Sequence, residues 1–79
     1  MTIYRPLSQI AAEIQQDWRK PYFGAIPYIN AMRSLHSMSD KYCAEDAQTI
    51  VLYFLSNAAT WRGEVARRVK AELKAMSDF

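Results

Sequence analysis

The chain has 79 residues, of which ten are basic, eight are acidic and one is cysteine, and its formal net charge is +2. This length supports one hydrophobic core, so we expect a single helical domain over residues 1–79. The lone Cys43 excludes an internal disulfide, no apolar run is long enough to span a bilayer, and the N-terminus lacks a signal-peptide layout. These features predict a cytoplasmic protein that folds without disulfides.

The first helix is predicted over residues 7–19. Pro6 suits a first turn, and Pro21 moves Lys20 away from helical backbone angles. Apolar side chains recur at intervals of three and four residues, which places them on one buried face. They are Leu7, Ile10, Ile14 and Trp18.

The segment PYFGAIP, residues 21–27, contains two of the three prolines and one of the two glycines, so it predicts a structured turn. We expect its aromatic side chains, Tyr22 and Phe23, to fold onto the core. Pro27 then begins a second helix over residues 27–37. The apolar positions of that helix are Ile29, Met32 and Leu35.

Helical spacing of apolar residues continues over most of the second half of the chain. One helix over residues 44–76 would be about 50 Å long, whereas a compact chain of this size has a radius of gyration near ~12 Å. Two helices over residues 44–57 and 60–76 are therefore favoured, with a single long helix as the alternative. Asn57 would end the first in the left-handed conformation, and Thr60 would cap the second.

The run from Ile50 to Leu55 is apolar on all sides, and it has no second strand-like run to pair with. A lone strand would leave its backbone groups unsatisfied, so this run predicts an enclosed helix. The fold class is therefore predicted to be all-α, a small compact bundle of three to four helices.

No residue pattern predicts catalysis, a cofactor or a metal site. His36 is the only histidine and has no base partner at helical spacing, and together with Cys43 it falls short of any structural zinc pattern. Glu13 and Asp17 share a helix face, which is typical of a solvated surface rather than an acid–base pair. Both glycines are isolated, so there is no phosphate-binding loop. We expect a protein that is not an enzyme.

The segment TWRGEVARRVKAELK, residues 60–74, carries five of the ten basic residues and only two acidic ones. One interpretation is local: Glu64 with Arg68 and Arg68 with Glu72 form pairs that stabilise a helix. The other is functional: the last helix presents a basic outer face to a macromolecule, while Val65, Val69 and Leu73 anchor the core.

The candidate macromolecule-binding residues lie at the start and on the outer face of this last helix. Glycine inside a helix costs about 1 kcal/mol relative to alanine, so Gly63 indicates either a first turn or a close approach. Tryptophan and arginine are enriched in binding hot spots, although Trp61 is also a candidate core residue. The complete set is Trp61, Arg62, Gly63, Arg67, Lys70 and Lys74, with the last three basic residues expected in water.

The chain resembles, in YRPLSQIAAEI, KPYFGAIPYINAM and IVLYFLSNAATWRGEVARRVKAEL, a family of short uncharacterised proteins encoded by bacterial phages, plasmids and integrated mobile elements. The resemblance covers nearly the whole chain and implies a bacterial mobile-element accessory protein, and it brings no catalytic residue, cofactor or activity to transfer to this chain. Such a protein, as a monomer or a homodimer, would bind and block or adapt a host protein or nucleoprotein complex, for example as an anti-defence or anti-CRISPR inhibitor. The alternative is a small DNA- or RNA-binding regulator that uses the basic face.

Overall fold

Helices form most of residues 4–77, the part of the chain that the structure, a computed structural model, describes. The all-α prediction is confirmed, apart from one very short hairpin. In chain order the elements are α1 (Leu7–Asp17), a 3₁₀ turn (Phe23–Ala25), α2 (Ile26–Met32), β1 (Lys41–Tyr42), β2 (Glu45–Asp46), α3 (Ala47–Ser56) and α4 (Glu64–Met76).

The start of α1 is held by the segment that follows α2. The backbone N–H groups of Leu7 and Ser8 donate to the carbonyls of His36 and Leu35, so two of the donors that open every helix are satisfied. The second helix was predicted to reach residue 37, and this is wrong because α2 ends at Met32. The residues after it form tight turns that leave their carbonyls available to α1.

The hairpin between α2 and α3 was not predicted. Lys41 pairs with Asp46 and Tyr42 with Glu45, while Cys43 at its tip has φ +58°. The third helix therefore begins at Ala47 instead of residue 44. Strands of two residues are too short to show an alternating pattern, so the sequence carried no periodic signal for them.

The break between the last two helices is confirmed, and the single long helix is excluded. The chain leaves α3 after Ser56 and enters α4 at Glu64, and the radius of gyration is 11.4 Å. The predicted caps are wrong in detail. Asn57 follows α3 with φ −107°, outside the left-handed region, and Gly63 instead of Thr60 occupies the position before α4.

The core lies where α1 packs on α2 and α4, and where α3 packs on α2. The predicted apolar face of the first helix is confirmed, since all four of its members are buried. The helix ends at Asp17, two residues earlier than predicted, and Trp18 directly follows it. In α4, Val69 and Leu73 are fully buried as expected, whereas Val65 is half-buried at the edge. The largest fully buried side chains include Phe54, Leu7, Ile10, Ile14 and Met32.

Candidate interaction surfaces

Trp61 lies in the core and does not form part of an open contact surface. Only 2% of its surface is exposed. Its ring stacks on Trp18 with centroids 5.7 Å apart, and the edge of Phe54 faces it at 6.3 Å. The indole Nε1–H donates to the carboxylate of Asp17 at 2.8 Å. With its ring enclosed and its single donor satisfied, Trp61 has no group left for a partner.

Gly63 is explained by backbone conformation. It precedes α4 with φ +112° and ψ −177°, a combination that side chains with a Cβ rarely adopt. A Cβ built at this position would meet nothing within 4 Å. The glycine therefore allows the chain to turn into α4, and no group of residues 4–77 apart from its chain neighbours comes within 4 Å of the place where its Cβ would lie.

Lys70 was expected in water, and this prediction is wrong. Its half-buried ammonium donates to the carbonyls of Ala58 and Trp61, each at 2.7 Å, and lies 5.9 Å from the centre of the Trp61 ring. Partial burial lowers the pKa of Lys70, and the nearby charges of Lys74 and Arg62 lower it further. This side chain ties the loop after α3 to α4.

The ion pairs of α4 connect it to other parts of the chain. Glu13 on α1 accepts hydrogen bonds from Arg68 and from Arg5, the latter at 2.8 Å, and Glu72 accepts two from Arg5 at 2.6 and 2.9 Å. The predicted pairs of Arg68 with Glu64 and with Glu72 do not form. The bond from Arg68, and secondarily the one from Arg5, lowers the pKa of Glu13, and the bond to Glu72 raises the pKa of Arg5.

Three of the predicted cations are exposed and form no ion pair within residues 4–77: Arg62, Arg67 and Lys74. We call them the basic face. Arg62 and Arg67 line a shallow recess of about 360 Å³ that Lys70 also borders. The predicted basic outer surface of the last helix therefore exists, with fewer available charges than the sequence contains.

A second surface, which the sequence did not predict, is formed by apolar side chains around the turn before α2 and on the outer side of α3. Phe23 is 76% exposed, and Tyr22, Tyr53 and Leu52 are 47%, 46% and 41% exposed. The rings of Tyr22 and Phe23 lie 4.9 Å apart, and those of Tyr28 and Tyr53 lie 5.6 Å apart. We call these five residues the aromatic surface. The expectation that Tyr22 and Phe23 fold onto the core is wrong.

Gly24 explains why Tyr22 lies outside. A Cβ at Gly24 would lie 2.6 Å from the Tyr22 ring and 2.8 Å from the side-chain oxygen of Asn57. The tyrosine ring therefore crosses the glycine backbone toward the end of α3. Beside it is a recess of about 220 Å³, lined by Tyr22, Ser56, Asn57, Ala59 and Thr60.

The aromatic surface is also free of charged residues. Neither residues 21–32 nor residues 47–61, which supply all of it, contain Asp, Glu, Lys or Arg. An amphipathic surface helix normally carries charges on its outer side, yet the exposed residues of α3 are Leu52, Tyr53 and Ser56, and none of its ten residues is charged. This absence of charge was visible in the sequence and is the signal that could have found the surface.

The groups considered for chemistry do not converge on one site: Glu13 and Asp17 line a shallow recess that neither His36 nor Cys43 borders. His36 is exposed, and its backbone N–H donates a hydrogen bond to the carboxylate of Asp40. This bond, together with a second one from the backbone of Ser37, lowers the pKa of Asp40. Within residues 4–77, no three His, Cys, Asp or Glu side chains are close enough to share a metal ion. Over the same range, no helix has the length and apolar character needed to cross a membrane.

Comparisons with protein-family models, with curated proteins and with solved structures find no match to this chain.

Proposed function

We propose that this chain is a non-enzymatic protein-interaction domain that contacts a protein partner through the aromatic surface. The observation that carries this proposal is the exposure of Phe23, Tyr22, Tyr53 and Leu52 on two uncharged segments. Aromatic residues are enriched and charged residues are depleted at the centres of protein interfaces. Tyrosine in particular is common among hot-spot residues.

The size of the surface supports the same proposal. Its four exposed apolar side chains present roughly 400 Å² in total, taking about 200 Å² for a complete aromatic side chain. The largest apolar patch on a typical monomer covers about 300–600 Å² and is often functional. On a chain with a total accessible surface of 5210 Å², this is a substantial uncharged area.

We further propose a biological role for this binding. The resemblance to short phage, plasmid and mobile-element proteins supports an accessory protein of the bacterial cytoplasm that blocks or adapts a host complex, as an anti-defence inhibitor would. Blocking requires one adequate surface and no cofactor. The two carboxylates considered for chemistry are already engaged, Asp17 with the indole of Trp61 and Glu13 with two arginines, which is consistent with this role.

A capture experiment with matched variants tests the proposal. The tagged wild type, Phe23→Ser and Tyr42→Ser are incubated with bacterial lysate, and bound proteins are identified by mass spectrometry. Tyr42 is 40% exposed on the hairpin and is a matched aromatic outside the surface. We expect a specific protein to be captured by the wild type and Tyr42→Ser and lost with Phe23→Ser. Equal capture by all three would contradict the proposal.

Nucleic acid is the second candidate partner, and the basic face is the observation that favours it. Three phosphate contacts predict that the logarithm of the binding constant falls with a slope of about −3 against the logarithm of salt concentration. Gel shifts with duplex DNA and RNA should show this slope, and Arg67→Glu should weaken binding whatever the nucleotide sequence. Arg33→Glu, an exposed arginine on another element, is the control. Absent or salt-independent binding rules out this candidate.

A further inference from the structure

We infer that the aromatic surface pairs with a second copy of this chain about a two-fold axis, with Phe23 of each copy entering the recess beside Tyr22 of the other. This inference rests on the proposed function, because it names the partner of the same surface. It adds a specific occupant and a specific pair of contacts, and a host protein bound at the same surface would compete with the second copy.

The first support is that a protrusion and a recess lie side by side on one surface. Phe23 is the most exposed of the large apolar side chains in residues 4–77, at 76%. The Tyr22 ring, 4.9 Å from the Phe23 ring, forms one wall of the recess of about 220 Å³. A two-fold contact requires each copy to offer the same self-complementary patch. A protruding ring next to an open recess meets this requirement without help from another protein.

The second support is charge. The chain carries a net +2, so two copies repel each other weakly wherever their cations meet. The segments that supply the aromatic surface contain no charged residue, so its own five residues can face their counterparts without bringing like charges together. Exposed cations flank these segments in the sequence, at Lys20, Arg33 and Arg62. Homodimer interfaces are more apolar than transient interfaces between different proteins. An uncharged surface with an exposed phenylalanine is closer to the first class.

The third support is area. A standard interface buries about 800 Å² on each partner. The apolar side chains of the aromatic surface supply roughly half of this, and the uncharged polar residues beside them extend it. These include Thr49, Ser56 and Thr60, which border Leu52, Tyr53 and the recess. The basic face shares no residue with this surface.

Sedimentation of the purified full chain tests the inference. For the wild type, we expect the average mass to rise from one to two chain masses between about 1 and 300 µM, because dimerisation depends on concentration. Phe23→Ser removes one ring from each half of the interface and should raise the dissociation constant at least about thirtyfold. Ala59→Trp fills the recess and should have a similar effect. Tyr42→Ser should dimerise like the wild type.

A mixing experiment tests the contact itself. Phe23→Ser retains an open recess, and Ala59→Trp retains Phe23, so a mixed pair restores one of the two ring-in-recess contacts. We expect the mixture to associate at concentrations where each variant alone is monomeric. Circular dichroism checks that both variants keep the wild-type helix content.

The outcomes separate the inference from the proposed function. A wild type that stays monomeric up to about 300 µM overturns the inference, as does a dimer that Phe23→Ser and Ala59→Trp leave unchanged. In either case, loss of lysate capture with Phe23→Ser would still uphold a different protein partner at the aromatic surface. If Phe23→Ser also leaves the capture of lysate proteins unchanged, the proposed function is contradicted as well.

Discussion

The aromatic surface and the start of α4 both combine rings with polar groups, yet they use them in opposite ways. Trp61 is enclosed, and two of its polar groups have internal partners: its indole N–H donates to Asp17, and its backbone carbonyl accepts a hydrogen bond from Lys70. Phe23 and Tyr22 lie on a turn whose glycine backbone lies beneath the tyrosine ring, and 76% of the phenylalanine stays in solvent. A ring beside cations therefore does not by itself mark a contact surface. What matters is whether the neighbouring polar groups are already paired within the chain.

Replacing the enclosed ring should have the largest effect. Trp61→Ala removes a buried, stacked indole and leaves the Asp17 carboxylate without its donor, so we expect the free energy of unfolding to fall by about 3–5 kcal/mol. Phe23→Ala removes an exposed ring and should change it by less than about 0.5 kcal/mol. Urea unfolding followed by circular dichroism at low protein concentration measures both. Similar losses for the two variants would contradict this assignment of inside and outside.

Two lysines of α4 test which of its cations are bonded within the chain and which are exposed. Lys70→Glu removes two charge-assisted hydrogen bonds and places a carboxylate against the carbonyls of Ala58 and Trp61, so we expect a loss of about 1–3 kcal/mol in the free energy of unfolding. Lys74→Glu, one turn further along and exposed, should change it by less than about 0.5 kcal/mol. Thermal and urea unfolding provide the comparison. If both substitutions change the free energy of unfolding equally little, Lys70 belongs to the exposed basic face.

Gly63 tests whether backbone conformation or a partner requires the glycine. Gly63→Ala places a Cβ in open space, but the alanine must adopt φ +112°. We therefore expect the free energy of unfolding of the isolated chain to fall by about 1–2 kcal/mol. Ala71→Gly, at an exposed position within α4, is the control and should cost about 1 kcal/mol through helix propensity. If Gly63→Ala leaves stability unchanged and weakens only capture of a partner, the glycine belongs to the contact surface.

The periodicity of apolar residues predicted the regular helices, and it missed the features that depend on contacts between residues far apart in sequence. The buried face of α1 and the break before α4 followed from apolar spacing and chain length. The early end of α2 could not be predicted, because the carbonyls of Leu35 and His36 accept hydrogen bonds from the first turn of α1, which is far away in sequence. The same holds for the candidate site. Arg62, Arg67 and Lys74 are exposed, whereas the positions of Lys70 and Trp61 depend on carbonyls and a carboxylate that only the folded chain brings near.

Acid titration should give the smallest effect, and it tests whether Arg68 belongs to the internal network and not to the basic face. Hydrogen bonds from Arg68 and Arg5 lower the pKa of Glu13 in the folded state below its ordinary value of 4.5. A lowered folded-state pKa means that the unfolded chain takes up the proton first. The network's contribution to stability is therefore complete above about pH 4.5 and is lost as the pH falls through the lowered pKa.

The comparison that isolates this contribution uses two glutamates. Below pH 4.5, the difference in unfolding free energy between the wild type and Glu13→Gln should shrink steadily, since both side chains become neutral. Glu45→Gln, at an exposed glutamate of the hairpin that forms no ion pair within residues 4–77, is the control for loss of one carboxylate, and its difference from the wild type should change less with pH than that of Glu13→Gln. High salt should reduce the difference, because the Arg68 side chain is 54% exposed and its bond to Glu13 is screened. A difference that stays constant down to about pH 3 would mean that Arg68 is not held by Glu13, and Arg68 would then join Arg62, Arg67 and Lys74 on the basic face.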